Sequence, residues 1–226
     1  MTDRKSSIIF GAALATAAVA GAAYVLTRRE RLSVGGDPSV IPIFTPMIDL
    51  YTVDEVLARM EKIRGDEVTL VLHTPGGCVA SCVMIADALA QFRRSTAIVP
   101  YLALSGGTLI ALAADRIAMG RRAALSAVDP VVHGQRARHI EAGDDAGRHA
   151  MAQEYYHAVH RQLRSMLARH LGSGTNLERA LSVFMGLDAP HEWPIYTLQL
   201  AAIGVKVVND DAVWSDYVDS HRGAWR

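Results

Sequence analysis

Two cysteines and three lysines are all that 226 residues provide of either type, and each shortage narrows the chemistry. Cys78 and Cys82 stand four apart in a helical pattern with no histidine pair beside them, which is no metal-ligand set. They are expected as small apolar core residues, and so few cysteines do not demand an oxidising compartment. No metal and no cofactor is expected. The lysines, Lys5, Lys62 and Lys206, leave the longest helical pattern without one. Aromatic residues make up 6%, and Trp193, Trp214 and Trp225 are too scattered to suggest a binding cage. Charge of neither sign is in excess, since 23 Lys and Arg balance 23 Asp and Glu. With no long basic stripe, nucleic-acid binding is not indicated. Arg121, Arg122, Arg136 and Arg138 read as solvated surface charge. No internal repeat or low-complexity segment is visible outside the N-terminus.

The N-terminus holds the one long apolar run. Ile8 to Leu26 carry no charge, and Ser7 to Thr27 supply roughly the 20 residues a spanning helix needs. A cleaved signal peptide is the rival, because Ala18-Val19-Ala20 resembles a small-residue cleavage site. The apolar run continues through Tyr24-Val25-Leu26 and stops at Arg28, Arg29 and Arg31, which suits an uncleaved anchor better. Its Ala and Gly residues would also let two helices approach closely. Three basic residues after the span, against Arg4 and Lys5 before it, place the globular part on the cytoplasmic side of a cell membrane. The domain plan is a tail over 1–6, a transmembrane helix over 7–27, a linker over 28–39 and one domain over 40–226. With 50% hydrophobic and 20% charged residues, the chain can bury one sizeable core.

The body of the chain alternates strand-like and helix-like runs. Val40 to Phe44, Val68 to His73, Thr96 to Leu104 and Arg116 to Met119 read as strands. A capping box of Thr52 and Glu55 predicts a helix to about Ile63, and further helices are expected over Val79 to Phe92 and Gly107 to Ala114. Gly134 to Gly147 reads as a loop before the longest helix, about Ala150 to Leu171, capped by Gly172. Thr197 to Ile203 then forms a helix capped by Gly204, and Lys206 to Val208 a last strand. Such alternation argues for an α/β fold with a parallel sheet and right-handed crossovers.

Two glycine turns stand out within it. His73-Thr74-Pro75-Gly76-Gly77 lies between a strand-like and a helix-like run, and so does Leu104-Ser105-Gly106-Gly107-Thr108. A serine at a strand-to-helix junction sits at the positive end of the helix. Two glycine turns that each open a helix can aim backbone N–H groups at one point, as an oxyanion hole requires. The plainer reading is two tight turns and a buried serine, since strand–glycine–helix turns are common in α/β proteins.

At these residues, and at Val128-Asp129-Pro130, the sequence resembles the serine dehydrogenase proteinase family over roughly Ile41 to Val208. These Clp-fold serine peptidases are related to the Clp protease subunit and to signal peptide peptidase A. The resemblance implies a Clp/crotonase-like α/β fold built of repeated β-α units. It also implies Ser105 as nucleophile, and an oxyanion hole from the N–H of Gly76 or Gly77 together with that of Gly106. The base does not transfer. Asp129 falls about where the Clp subunit has its histidine, and no lysine occupies the long helix, where signal peptide peptidase A has its own. The remaining candidates are His133, which follows Asp129 closely, His157 and His160 on the long helix, and His191. That last residue opens His191-Glu192-Trp193-Pro194-Ile195, which resembles the family's His-Asp-Tyr-Pro-Ile segment. Asp129 could orient a histidine or simply cap the turn before Pro130.

The expectation is a membrane-anchored serine peptidase acting on polypeptides, assembled as a homo-oligomer like its Clp-fold relatives. Two rivals keep the fold. A crotonase-like acyl-CoA enzyme would use the two backbone donors without Ser105, and a non-catalytic membrane scaffold would use neither.

Overall fold

The computed structural model describes residues 37–209, except 144 and 188, so the expected transmembrane helix lies outside the described residues. Strand β2 (Glu67–His73) pairs on both sides and sits within a five-stranded parallel sheet. The order is β1 (Val40–Phe44), β2, β3 (Arg94–Val99), β5 (Arg116–Met119), β9 (Val208–Asn209). These strands are rich in valine, isoleucine and leucine, and alternate residues enter different apolar clusters. Val68, Leu70, Leu72, Ile41, Ile43, Ala97 and Val99 belong to the main core, shared with the helices. Val71, Ile98 and Ala118 form a smaller cluster with Val40 and Phe44.

The helices of the β-α units are α1 (Leu50–Met60), α2 (Val79–Leu89) and α3 (Gly106–Ala113). Alpha-helix α2 packs against both α1 and α3. In α3 every residue from Gly107 to Ala113 is buried, which fixes the helix from all sides. The long helix α4 (Ala146–Leu171) follows, then α5 (Thr175–Phe184) and α6 (Thr197–Ala202). No helix among the described residues is long and apolar enough to cross a membrane.

Several expected boundaries move, each for a local reason. The capping box of α1 uses Asp49 as N-cap: its carboxylate accepts the Thr52 N–H at 2.9 Å, and Thr52 Oγ1 accepts the Asp49 N–H at 3.2 Å. The expected strand over Thr96 to Leu104 is two strands. It breaks at Pro100-Tyr101, where Gly120 lies so close that a Cβ on it would sit 2.4 Å from the Pro100 carbonyl oxygen. Beyond the break, β4 (Leu102–Ala103) leaves the main sheet and pairs with β6 (Ala124–Leu125). The expected loop over Gly134 to Gly147 contains part of a hairpin, β7 (Val131–Val132) with β8 (Gln135–Arg136), and a short 3-10 turn. Helix α5 was not anticipated, although Leu177, Ala180, Leu181 and Phe184 carry the helical spacing of a buried face.

Short pairings away from the main sheet build the floor of a site. Ile48 bridges Gly77, Thr74 bridges Ala103, β4 pairs β6, and Leu125 bridges Ile195. They carry the two glycine turns, one of them bearing Ser105, and the segment after His191 into one neighbourhood.

Candidate active site

Ser105 caps the start of α3, separated from the end of β4 by Leu104, with φ 50° and ψ −119°. A side chain-bearing residue in this region is strained by about 1–3 kcal/mol and persists only where its surroundings hold it. Two groups do so. The Ser105 N–H donates to Ser126 Oγ at 2.8 Å, and the Ser126 hydroxyl donates onward to the Ala127 carbonyl at 3.0 Å. The Ser126 N–H in turn donates to Thr108 Oγ1 at 2.9 Å, and the Thr108 hydroxyl donates to the Ala103 carbonyl at 2.6 Å. Ser105 itself is half-buried.

The glycine turn of residues 76 and 77 packs against this serine. Gly76 has φ 109°, and a Cβ there would lie 2.8 Å from Ser105 Cβ and 2.9 Å from the Gly106 nitrogen. Its N–H is engaged, donating to Thr74 Oγ1 at 3.1 Å. Gly77 presses on strand-like backbone, where a Cβ would meet the Ile48 carbonyl oxygen at 2.1 Å. A Cβ on Gly106 would meet Cys82 Sγ at 2.2 Å and the Gly77 nitrogen at 3.6 Å. The N–H groups of Gly77 and Gly106 are therefore neighbours, and neither has an acceptor among the described residues. Between Gly76 and Gly77, the geometry leaves Gly77 as the available donor.

Asp129 lies in the turn that follows β6, 1% exposed at its side chain. His191 Nδ1 stands 2.9 Å from Asp129 Oδ1, and Arg136 Nε donates to Asp129 Oδ2 at 2.5 Å. Burial pushes the Asp129 carboxyl up, but the hydrogen bonds and charges of His191 and Arg136 outweigh it and hold the group below its ordinary range. With Asp129 ionised, the proton of a neutral His191 belongs on Nδ1, and Nε2 is free to accept another. Arg136 also donates to the Ala189 carbonyl at 2.7 Å and to that of Gly186 at 2.6 Å. Far from the solvated charge expected of it, Arg136 is a clasp. It ties the β7–β8 hairpin to the segment that presents His191.

A family model for ClpP-like SDH-type serine proteinases matches residues 23–210. The chain belongs to that family. Two uncharacterized proteins of Methanocaldococcus jannaschii are 40% identical over 108 residues and 37% identical over 110 residues. These matches take in 47% and 48% of this chain and 36% of each relative's own length, so the chain spans about a third of either. The fold is similar to that of a ClpP1 mutant from Listeria monocytogenes, with a TM-score of 0.57 and 15% identity over 77% of this chain and 93% of the other. It is also similar to a mutant of the 1510-N membrane-bound stomatin-specific protease, with a TM-score of 0.56 and 21% identity over 81% and 84% of the two chains. Both likenesses establish a ClpP-like α/β fold.

Within this family member, the remaining sequence candidates lie elsewhere. His133 is exposed at the tip of the β7–β8 hairpin, where its φ of 50° and the 79° of Gly134 make a two-residue turn. Both Asp129 oxygens are taken by His191 and Arg136 instead. His157 is exposed on α4, and His160 stacks on Tyr156 with ring centroids 6.4 Å apart. Lys62 and Lys206 are exposed. The Ser105 hydroxyl makes no hydrogen bond to His191 or to a lysine among the described residues. Of the cysteines, Cys82 is buried as expected, its thiol pushed up to about 12 by burial, whereas Cys78 is exposed at the start of α2. An apolar cavity of about 380 Å³ lies behind the His191 segment, lined by Ala127, Val183, Pro190, Trp193, Ile195 and Ile203 among others. Sequence reasoning missed Ser126, Thr108 and Arg136. The signal for the first was a lone polar residue inside the apolar run from Ala123 to Val128.

Proposed function

We propose that this chain is a membrane-anchored serine peptidase that hydrolyses polypeptides at Ser105. The observation that carries the reading is the pair of neighbouring N–H groups of Gly77 and Gly106, unengaged among the described residues, beside a serine held in a strained turn. Such a pair is matched to the negative oxygen that develops when a hydroxyl attacks an amide carbonyl. Ser105 Oγ forms the new bond to the carbonyl carbon, and its proton passes to His191 Nε2, whose Nδ1–H is oriented by Asp129. Collapse of the tetrahedral species breaks the C–N bond, and His191 returns the proton to the departing amine. Water then hydrolyses the ester by the same steps. In the absence of substrate, nucleophile–base hydrogen bonds are often long and tighten only in the complex, which accommodates the missing Ser105–His191 bond.

Residues 7–27 support the anchor, and the balance of flanking basic residues favours a cytoplasmic globular part. The chain acts as a homo-oligomer in this reading, without metal, cofactor or nucleic acid. One observation favours a rival: two free backbone donors with no base on Ser105 would also suit a thioester oxyanion in acyl-CoA chemistry. A fluorophosphonate probe decides between them. The peptidase reading expects covalent labelling that Ser105→Ala abolishes, and a chain whose Ser105 never labels refutes it.

A further inference from the structure

We infer that Ser126 is a positioning residue: its buried hydroxyl fixes the backbone of Ser105 and takes that residue's own N–H out of the oxyanion site. The inference rests on the peptidase reading above and names a group that reading does not require. Ser126 is 0% exposed, and both its hydroxyl and its N–H are hydrogen-bonded. Its oxygen accepts the Ser105 N–H at 2.8 Å while its proton goes to the Ala127 carbonyl. Its own N–H is anchored on Thr108 Oγ1, which is anchored on the Ala103 carbonyl. The path runs from β4 through α3 to the residue after β6 and returns to Ser105, two residues beyond β4, so it links the three elements that meet at the nucleophile.

Two consequences follow from this closed path. First, a backbone at φ 50° needs more than its own preferences to persist. The Ser126 bond supplies that restraint on one side of Ser105, and Gly76 supplies contact on the other. Second, some serine peptidases use the nucleophile's own N–H as an oxyanion donor. Here that N–H is occupied, which leaves the donor role to Gly77 and Gly106. Ser126 therefore sets both the direction of the Ser105 side chain and the identity of the donors.

The test compares the full-length chain with Ser126→Ala and Ser126→Thr. The threonine keeps the accepting oxygen. Ser126→Ala is expected to slow fluorophosphonate labelling of Ser105 by on the order of tenfold or more, the scale of one lost hydrogen bond. The loss should fall in the inactivation rate constant, not in probe affinity, and Ser126→Thr should recover most of it. Hydrogen–deuterium exchange supplies a readout independent of activity. The Ser105 amide should be protected in the wild type and exchange at least tenfold faster in Ser126→Ala, with the rest of α3 unchanged. A folded Ser126→Ala that labels at the wild-type rate overturns the inference. If the wild type does not label, the peptidase reading falls, and exchange alone decides whether Ser126 holds Ser105. If Ser126→Ala does not fold, a Ser105 amide that exchanges freely in the wild type overturns it, and one protected there and in Ser126→Thr upholds it.

Discussion

At Gly106 a missing side chain carries the argument. Its Cα faces Cys82, and a methyl group placed there would overlap the sulfur at 2.2 Å. Gly106→Ala should therefore displace the helix start and its N–H, lowering Ser105 labelling on the order of 10²-fold, as expected for one lost oxyanion donor. The same chain carrying Cys82→Ala should regain part of the rate, because the sulfur that obstructs the methyl is gone. Labelling rates of the four chains in a double-mutant cycle measure this coupling, and additive effects would show that the two residues act separately. The turn that holds Ser105 was legible in the sequence, because a serine between an apolar run and two glycines marks a strand-to-helix junction. The roles of Ser126 and Arg136 were not. Their partners lie across turns, and the carbonyls that Arg136 reaches are those of residues 186 and 189, which no spacing rule connects to it.

The β7–β8 hairpin and the segment from Gly186 to His191 form one unit through Asp129. Because burial is outweighed and the Asp129 carboxyl is held below its ordinary range, it stabilises the fold at pH above its unfolded value of about 3.9. That contribution fades as pH falls through the folded value. Asp129→Asn removes it and leaves the buried Arg136 charge unmatched, which should lower stability near neutral pH by about 3–5 kcal/mol. The gap between the two proteins should close in acid, as read by denaturant unfolding from pH 7 down to 3. Activity tests the same unit. Asp129→Asn should cost on the order of 10³-fold or more in turnover by losing the tautomer it enforces. Lys206→Met should leave turnover unchanged, and the opposite pattern would remove His191 from the mechanism. Of the elements, the strand ends that Pro100 and Gly120 decide were hard to read, because a strand leaving its sheet keeps the same apolar sequence. Helix α5 was readable by its spacing and was overlooked beside the longer α4.

At the scale of the whole molecule, the parallel sense of the sheet follows from the alternation of runs, whereas the order of its five strands and the second set of short pairings do not. Those pairings involve one or two residues each, too few for any periodicity to register. If the anchor reading holds, the full chain should stay with membranes through alkaline carbonate extraction, and deleting residues 7–27 should release it. In detergent, sedimentation should show a homo-oligomer, and a clean monomer at tens of micromolar would refute the assembly. The donor pair has a different consequence for how this chain tolerates change. Gly77 and Gly106 contribute only backbone, and together with Gly76 they work because neighbouring atoms of Ile48, Cys82 and Ser105 already stand where their side chains would be. A survey that trims side chains to alanine, the usual way to find a working site, would shorten Ser105, Asp129 and His191 but lengthen these three. Damage here comes from gaining atoms. The mutational map of the chain should accordingly show its most intolerant positions where the residue is smallest, and a survey designed around deletion would report the site as half its true size.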